Sequence, residues 1–131
     1  MNREERQAFA VEMKTKGAYH CAQALVLALA DLAGVDRETL LKAASPFGAG
    51  MGSTEATCGA LIGAALVAGF ATGGERSTRA ARSILEKFRA SCGAVTCKDL
   101  KRIVEGKPLC SCEECVRQAV AAYCDTFGLE D

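Results

Sequence analysis

The sequence predicts an all-α protein, a single-domain bundle of about six to seven helices spanning residues 1–131. Apolar residues recur at three- and four-residue intervals almost throughout, and no stretch alternates convincingly as a strand does. Glycines, a Ser-Pro pair and hydroxyl–acid caps interrupt that pattern at helix-length intervals. A chain of 131 residues is also long enough to bury a core without covalent staples.

The first helix is expected from Arg3 to Lys16, stopping at Gly17, where a left-handed cap comes easily to glycine. A second, from Tyr19 to Ala33, carries Cys21, Leu25, Leu29 and Leu32 on one face and ends at Gly34. It is apolar on most sides and belongs at the centre of the domain. A short third helix, Asp36 to Ala44, closes at Ser45-Pro46, because the residue before proline disfavours helical geometry. The loop PFGAGMGST follows, then a small-residue helix from Thr54 to Thr72, ended by Gly73-Gly74. A fifth helix, Arg76 to Ala90, aligns Ala81, Ile84, Leu85 and Phe88 with Cys92 just beyond its end. Two shorter helices begin near Thr96 and Ser111, joined by a loop with Gly106 and Pro108.

Sixteen basic and sixteen acidic residues cancel, but unevenly along the chain. Residues 75–107 hold nine Lys/Arg against four Asp/Glu, and residues 108–131 hold one against five. A solvated helix surface is the simplest reading, and docking of an acidic protein partner is the other. Nucleic acid is not an expected partner, because no aromatics are interleaved with the basic residues for stacking. Membrane insertion is not expected either, since the longest apolar stretch, residues 60–71, is too short to span a bilayer. Its Gly59-x-x-x-Gly63 spacing permits close helix contact, within one chain or between two copies, which leaves a homodimer open. The N-terminal segment mixes charge with apolar residues and lacks the form of a secretory signal. The expected location is the cytoplasm, where thiols stay reduced and eight cysteines point to metal binding or redox chemistry.

Thr96-Cys97-Lys98-Asp99 and Ser111-Cys112-Glu113-Glu114 both have the form of capping boxes, which makes Cys97 and Cys112 first helical residues. Cys115 lies one turn beyond Cys112. With Thr54 as a cap, Cys58 falls near a first turn, and Cys21 lies near the start of the second helix. A helix N-terminus offers free N–H groups and positive potential, and both favour thiolate over thiol. Glu55, at i−3 from Cys58, is a candidate proton acceptor. In the glycine loop, Gly50 and Gly52, with Gly59 beyond, could let backbone amides approach a sulfur or a small anion. His20 adjoins Cys21 but points to another face, so the two make no catalytic pair. On spacing alone, Cys92, Cys97, Cys112 and Cys115 could also bind zinc.

HCAQALVLALADLAGVD, FGAGMGSTEATCGALIGAALVAG, FRASCGAVTCKDL and CVRQAVAAYC resemble, in order and spacing, the C_GCAxxG_C_C family of redox-active cysteine proteins. Cys58-Gly-Ala-Leu-Ile-Gly63 carries the family's CGAxxG signature. The resemblance implies redox activity and places the family's four cysteines on Cys21, Cys58, Cys97 and Cys115. Cys92, Cys110, Cys112 and Cys124 then read as additions in this chain.

Two functions follow. One is thiol–disulfide or electron-transfer chemistry, a candidate oxidoreductase activity, at Cys21, Cys58, Cys97 and Cys115, with Glu55 moving a proton. The other is a metal-binding module holding an iron–sulfur cluster or zinc on the same four cysteines. Either would require a redox partner protein or substrate that the sequence does not name.

Overall fold

The computed structural model describes residues 1–129. Glu130 and Asp131, two of the acids in the C-terminal charge count, lie outside the described residues. The chain is predominantly α-helical, with α1 (Arg3–Thr15), α2 (Cys21–Ala28), α3 (Ala30–Ala33), α4 (Arg37–Ala44), α5 (Gly59–Ala71), α6 (Ser77–Cys92), α7 (Cys97–Leu100) and α8 (Cys112–Phe127). β1 (Ile103–Val104) and β2 (Lys107–Pro108) form a two-stranded antiparallel hairpin between α7 and α8 that the helical periodicity does not predict. Glu105 and Gly106 turn it with positive φ, 53° and 82°.

The single helix expected from Tyr19 to Ala33 is instead two, broken at Leu29 (φ −116°, ψ 9°). It begins at Cys21 because His20 is its N-cap. The His20 ring Nδ1 accepts the Gln23 N–H at 3.3 Å, and Gln23 Oε1 accepts the His20 N–H at 3.4 Å. The ring's Nε2 then donates to the Ser45 carbonyl, 3.0 Å away, which fixes the tautomer and ties α2 to the end of α4. At the break, the buried Arg6 donates to the Ala28 carbonyl at 2.9 Å and forms a two-pronged ion pair with Asp31.

The helix expected from Thr54 starts five residues later, at Gly59. Thr54 is left-handed (φ 65°), and beyond Glu55 the backbone becomes strand-like at Thr57. Thr57 bridges to Thr96, the Cys58 N–H donates to the Val95 carbonyl (2.8 Å), and the Cys97 N–H donates to the Ala56 carbonyl (2.9 Å). These bonds satisfy backbone groups that a helix would otherwise use, and they hold Cys58 and Cys97 side by side.

α2 runs through the centre, with Ala22 and Ala24–Leu29 buried, packed on α5, α1, α4 and α8. Its contact with α5 is unusually close. A Cβ on Gly63 would lie 2.8 Å from the Ala22 carbonyl oxygen and 2.8 Å from Leu25 Cβ, and one on Gly59 would lie 2.7 Å from the Phe47 carbonyl oxygen. The Gly59-x-x-x-Gly63 face is therefore occupied within the chain. Among the described residues, no helix is long and apolar enough to cross a membrane.

Gly63→Ala is expected to destabilise the protein by about 1–3 kcal/mol through overpacking against α2. Gly69→Ala, on the same helix with nothing within 4 Å of its added methyl, should be neutral or stabilise by up to about 1 kcal/mol. Urea unfolding of the two variants checks the contrast.

Candidate functional site

Four helix N-termini meet at one cavity, and each brings a cysteine. Cys21, Cys97 and Cys112 are the first residues of α2, α7 and α8, and Cys58 is the N-cap of α5. All four line a cavity of about 120 Å³, together with Cys110 and Cys115. Ser111 caps α8 by accepting the Glu114 N–H at 3.1 Å, which sets the first turn that presents Cys112. At α7 the expected box is altered: Thr96 Oγ1 donates to the Asp99 carboxylate at 2.7 Å, and the backbone bond from Cys97 holds the turn instead. The hairpin returns the chain to the site, where the Cys110 N–H donates to the Leu100 carbonyl at 3.0 Å.

The sulfurs fall into two groups. Cys21 and Cys112 are the two half-buried thiols, and at the cavity each is the main influence on the other's ionisation. Deeper in, Cys92, Cys110 and Cys115 place their sulfurs within 4.8 Å of one another, all buried, and Cys115 is the main influence on the ionisation of buried Cys58. Cys97 is held beside Cys58 by the bridged backbone, outside the three-sulfur group, and its sulfur favours the charge on Lys101. Cys124 is buried apart from the cavity, near Arg3 and Arg6.

The four cysteines singled out by sequence, Cys21, Cys58, Cys97 and Cys115, thus share one cavity, but of the four only Cys115 belongs to the three-sulfur group. Cys92, Cys110 and Cys112, read above as additions, belong to the cluster. The three-sulfur group is Cys92, Cys110 and Cys115, rather than the zinc set containing Cys97 and Cys112. Cys92 and Cys110 arrive through the C-terminal end of α6 and the hairpin return, neither of which shows in the spacing of cysteines.

Glu55 is corrected. It lies exposed on the loop before the strand-like segment, outside α5 and outside the cavity lining, so it does not face Cys58 across a helical turn. Of the glycines, Gly50 and Gly59 line the cavity, whereas Gly52 is exposed, with open space for 4 Å around the point where a methyl would sit. Ala49, Gly50, Met51 and Gly52 are four consecutive left-handed residues, closed by the Gly52 N–H on the Gly48 carbonyl at 2.9 Å. For Ala49 and Met51 this geometry costs about 1–2 kcal/mol each. It brings Gly50 so close to Cys97 that a Cβ there would be 2.7 Å from Cys97 Cβ. His20 spends both ring nitrogens on backbone groups, so it supplies no ligand to the sulfurs.

Two residues without a sequence signal complete the site: Lys14, from α1, and Lys101, just past α7, both line the cavity. Their charges bear on the accessible pair. The hydrogen bond from Cys21 is the main cause that holds Cys112 down at about 6, with Lys14 and Lys101 assisting against burial and Glu113. Cys21, as donor, is correspondingly held protonated, well above the ordinary thiol range. Burial opposes the charge on Lys101, but Cys97 and Cys112 together raise its pKa.

In the inner group Cys115 is the proton donor, pushed far up by its bonds to Cys58 and Cys92 and by burial. That bond, with help from the Ala60 and Leu61 amides at the start of α5, favours the Cys58 thiolate, although no conventional cap bond forms. The same donor favours the Cys92 thiolate. Cys115 has a single proton, and its Sγ also lies 3.7 Å from the Cys110 carbonyl oxygen, so Cys58 and Cys92 are not stabilised as thiolates at once. Burial foremost pushes Cys110 up to about 12. Glu114 is turned away, its carboxylate held by Gln118 and Arg117 at 2.6 Å each.

The family model described as "Putative redox-active protein (C_GCAxxG_C_C)" matches residues 19–126. No curated protein and no solved structure matches the chain.

Reduced protein is expected to alkylate at Cys112 with a midpoint near pH 6, because its folded pKa lies below the ordinary thiol value and its thiolate persists down to that pH. Cys21→Ala removes the hydrogen-bond donor and should move the midpoint up toward the free-thiol value of about 8.5. Peptide mapping after brief iodoacetamide pulses across pH measures both.

Proposed function

Because the chain belongs to the C_GCAxxG_C_C family of redox-active proteins, we propose that it carries out thiol–disulfide exchange through Cys112 and Cys21. The observation that carries this reading is their arrangement: two helix starts present the only half-buried thiols of the eight at one cavity, the other six being buried. Cys112 is the nucleophile. Its thiolate attacks a disulfide sulfur, forms a mixed disulfide and expels one thiolate, which takes up a proton. Cys21 then loses its proton and attacks Cys112 Sγ, releasing the second thiolate and leaving a Cys21–Cys112 disulfide. The substrate gains two electrons and the protein loses two, and a dithiol reductant or redox partner protein returns them. The cytoplasm suits such chemistry, because thiols there are kept reduced.

Cys112→Ser is expected to abolish disulfide reduction, at least a hundredfold on the order of losing a nucleophile. Cys21→Ser should instead accumulate the mixed disulfide on Cys112. Intact-mass measurement after mixing with a small disulfide separates the two cases, and unmodified Cys21→Ser protein would refute the assignment.

A second reading rests on the inner group. Cys92, Cys110 and Cys115 have the thiolate chemistry and mutual distance for a soft metal such as zinc or the iron of a cluster, with Cys58 adjoining as a fourth sulfur. Protein purified without oxygen would then hold stoichiometric zinc, or iron with sulfide. Cys110→Ser should lose it, while Cys124→Ser, outside the cluster, should keep it. Metal content unaffected by Cys110→Ser would exclude this site.

A further inference from the structure

We infer that the dithiol's substrates are low-molecular-weight disulfides that carry a carboxylate near the sulfur, held by Lys14 and Lys101 while Cys112 attacks. The inference rests on the exchange reading above and names its substrate class.

The charge on the cavity wall is of one sign. Lys14 and Lys101 reach it from α1 and from the end of α7, and among the described residues no Asp or Glu lines it. The remaining wall is sulfur, Ala49, Leu100, glycine backbone and a histidine whose two nitrogens already serve backbone groups. An ammonium pair beside an otherwise weakly polar wall attracts an anion and repels a cation. Neither lysine is neutralised by a carboxylate within the salt bridges of the described residues, whereas Lys16 and Lys42 are each paired one helical turn away. Both lysines line the same cavity as Cys112, so an anionic group they hold lies near the attacking sulfur.

The cavity's size selects further. Cys112 and Cys21 are only half exposed at a space of about 120 Å³. A disulfide must bring its sulfur into that space to meet Cys112 in line. A small molecule can do so, whereas a disulfide buried in a folded protein cannot follow it. The reaction balances without any further reagent: one substrate disulfide and the two protein thiols give two small thiols and the Cys21–Cys112 disulfide.

The experiment is a single turnover. Fully reduced, desalted protein is mixed with 3,3′-dithiodipropionate (anionic), 2-hydroxyethyl disulfide (neutral) or cystamine (cationic), and formation of the Cys21–Cys112 disulfide is followed by mass. The anionic compound should react roughly three- to tenfold faster than the neutral one, the magnitude of two near-surface ion pairs, and cystamine should be slowest. The preference should shrink as salt is added. In Lys14→Gln and Lys101→Gln the anionic-to-neutral ratio should fall toward one. The ratio is the readout because losing a lysine also makes Cys112 a weaker nucleophile toward every disulfide, which cancels in the comparison. Equal wild-type rates, or a ratio untouched by both substitutions, would overturn the anion preference and leave the dithiol reading standing. Reaction with none of the three would overturn the dithiol reading and this inference with it.

Discussion

α2 and α5 touch backbone to backbone, and the positions of the sulfurs depend on that contact. Gly59 and Gly63 have no side chain to hold the helices apart, and the Ala22 carbonyl and Leu25 press into the space this leaves. The consequence is local as well as global. Gly59 follows Cys58 directly, and Cys21 precedes Ala22, so the two helix starts carrying these thiols come together at the same crossing. A wider crossing would separate Cys21 from Cys58 and open the cavity between them. The packing thus converts two small residues into a fixed distance between reactive groups, and tight interiors hold such distances well.

The electrostatics of the cluster follow from burial. Most of its thiols are buried, where a thiolate without partners is costly, so each charge requires a donor nearby. The chain supplies donors from three sources: neighbouring thiols, helix-start amides and two lysines. They are not evenly distributed. The lysines stand by Cys112 and Cys97, whereas inside the cluster Cys58 and Cys92 share Cys115 as their main donor, with the Ala60 and Leu61 amides aiding Cys58. One face of the cluster is thus prepared for charge in the metal-free protein, and the interior remains mostly neutral unless a cation enters to hold the thiolates.

Much of this is legible in the sequence and some is not, for identifiable reasons. Ser111 and Asp36 announce their helices because short polar side chains cap by a local bond that needs only neighbouring residues. His20 caps equally well but is not a usual capping residue, so its helix is expected two residues too early; the glutamine three places on is the available signal. The start of α5 is misplaced because Thr54–Cys58 has ordinary helical composition. Only the bridge to Thr96, a distant partner, makes it strand-like. The convergence of cysteines at helix starts is visible from caps alone. Which sulfur faces which is not: Cys112 rather than Cys115 meets Cys21, and Cys92 joins through the far end of α6, both set by tertiary packing.

The pairing also has a bearing on how the chain must be made. Cys110, Cys112 and Cys115 are neighbours in sequence, and in an unfolded chain short loops close at little entropic cost. In the folded chain Cys110 and Cys115 stay together and are joined by Cys92 from α6, whereas Cys112 faces Cys21. Air oxidation before folding would therefore cross-link the nearest thiols first and trap the start of α8 with the wrong partners. Eight cysteines permit 105 complete pairings, and a link from Cys112 to Cys110 or Cys115, favoured by proximity along the chain, would take Cys112 away from Cys21. Preparation under reducing conditions until folding is complete is thus a requirement of this arrangement.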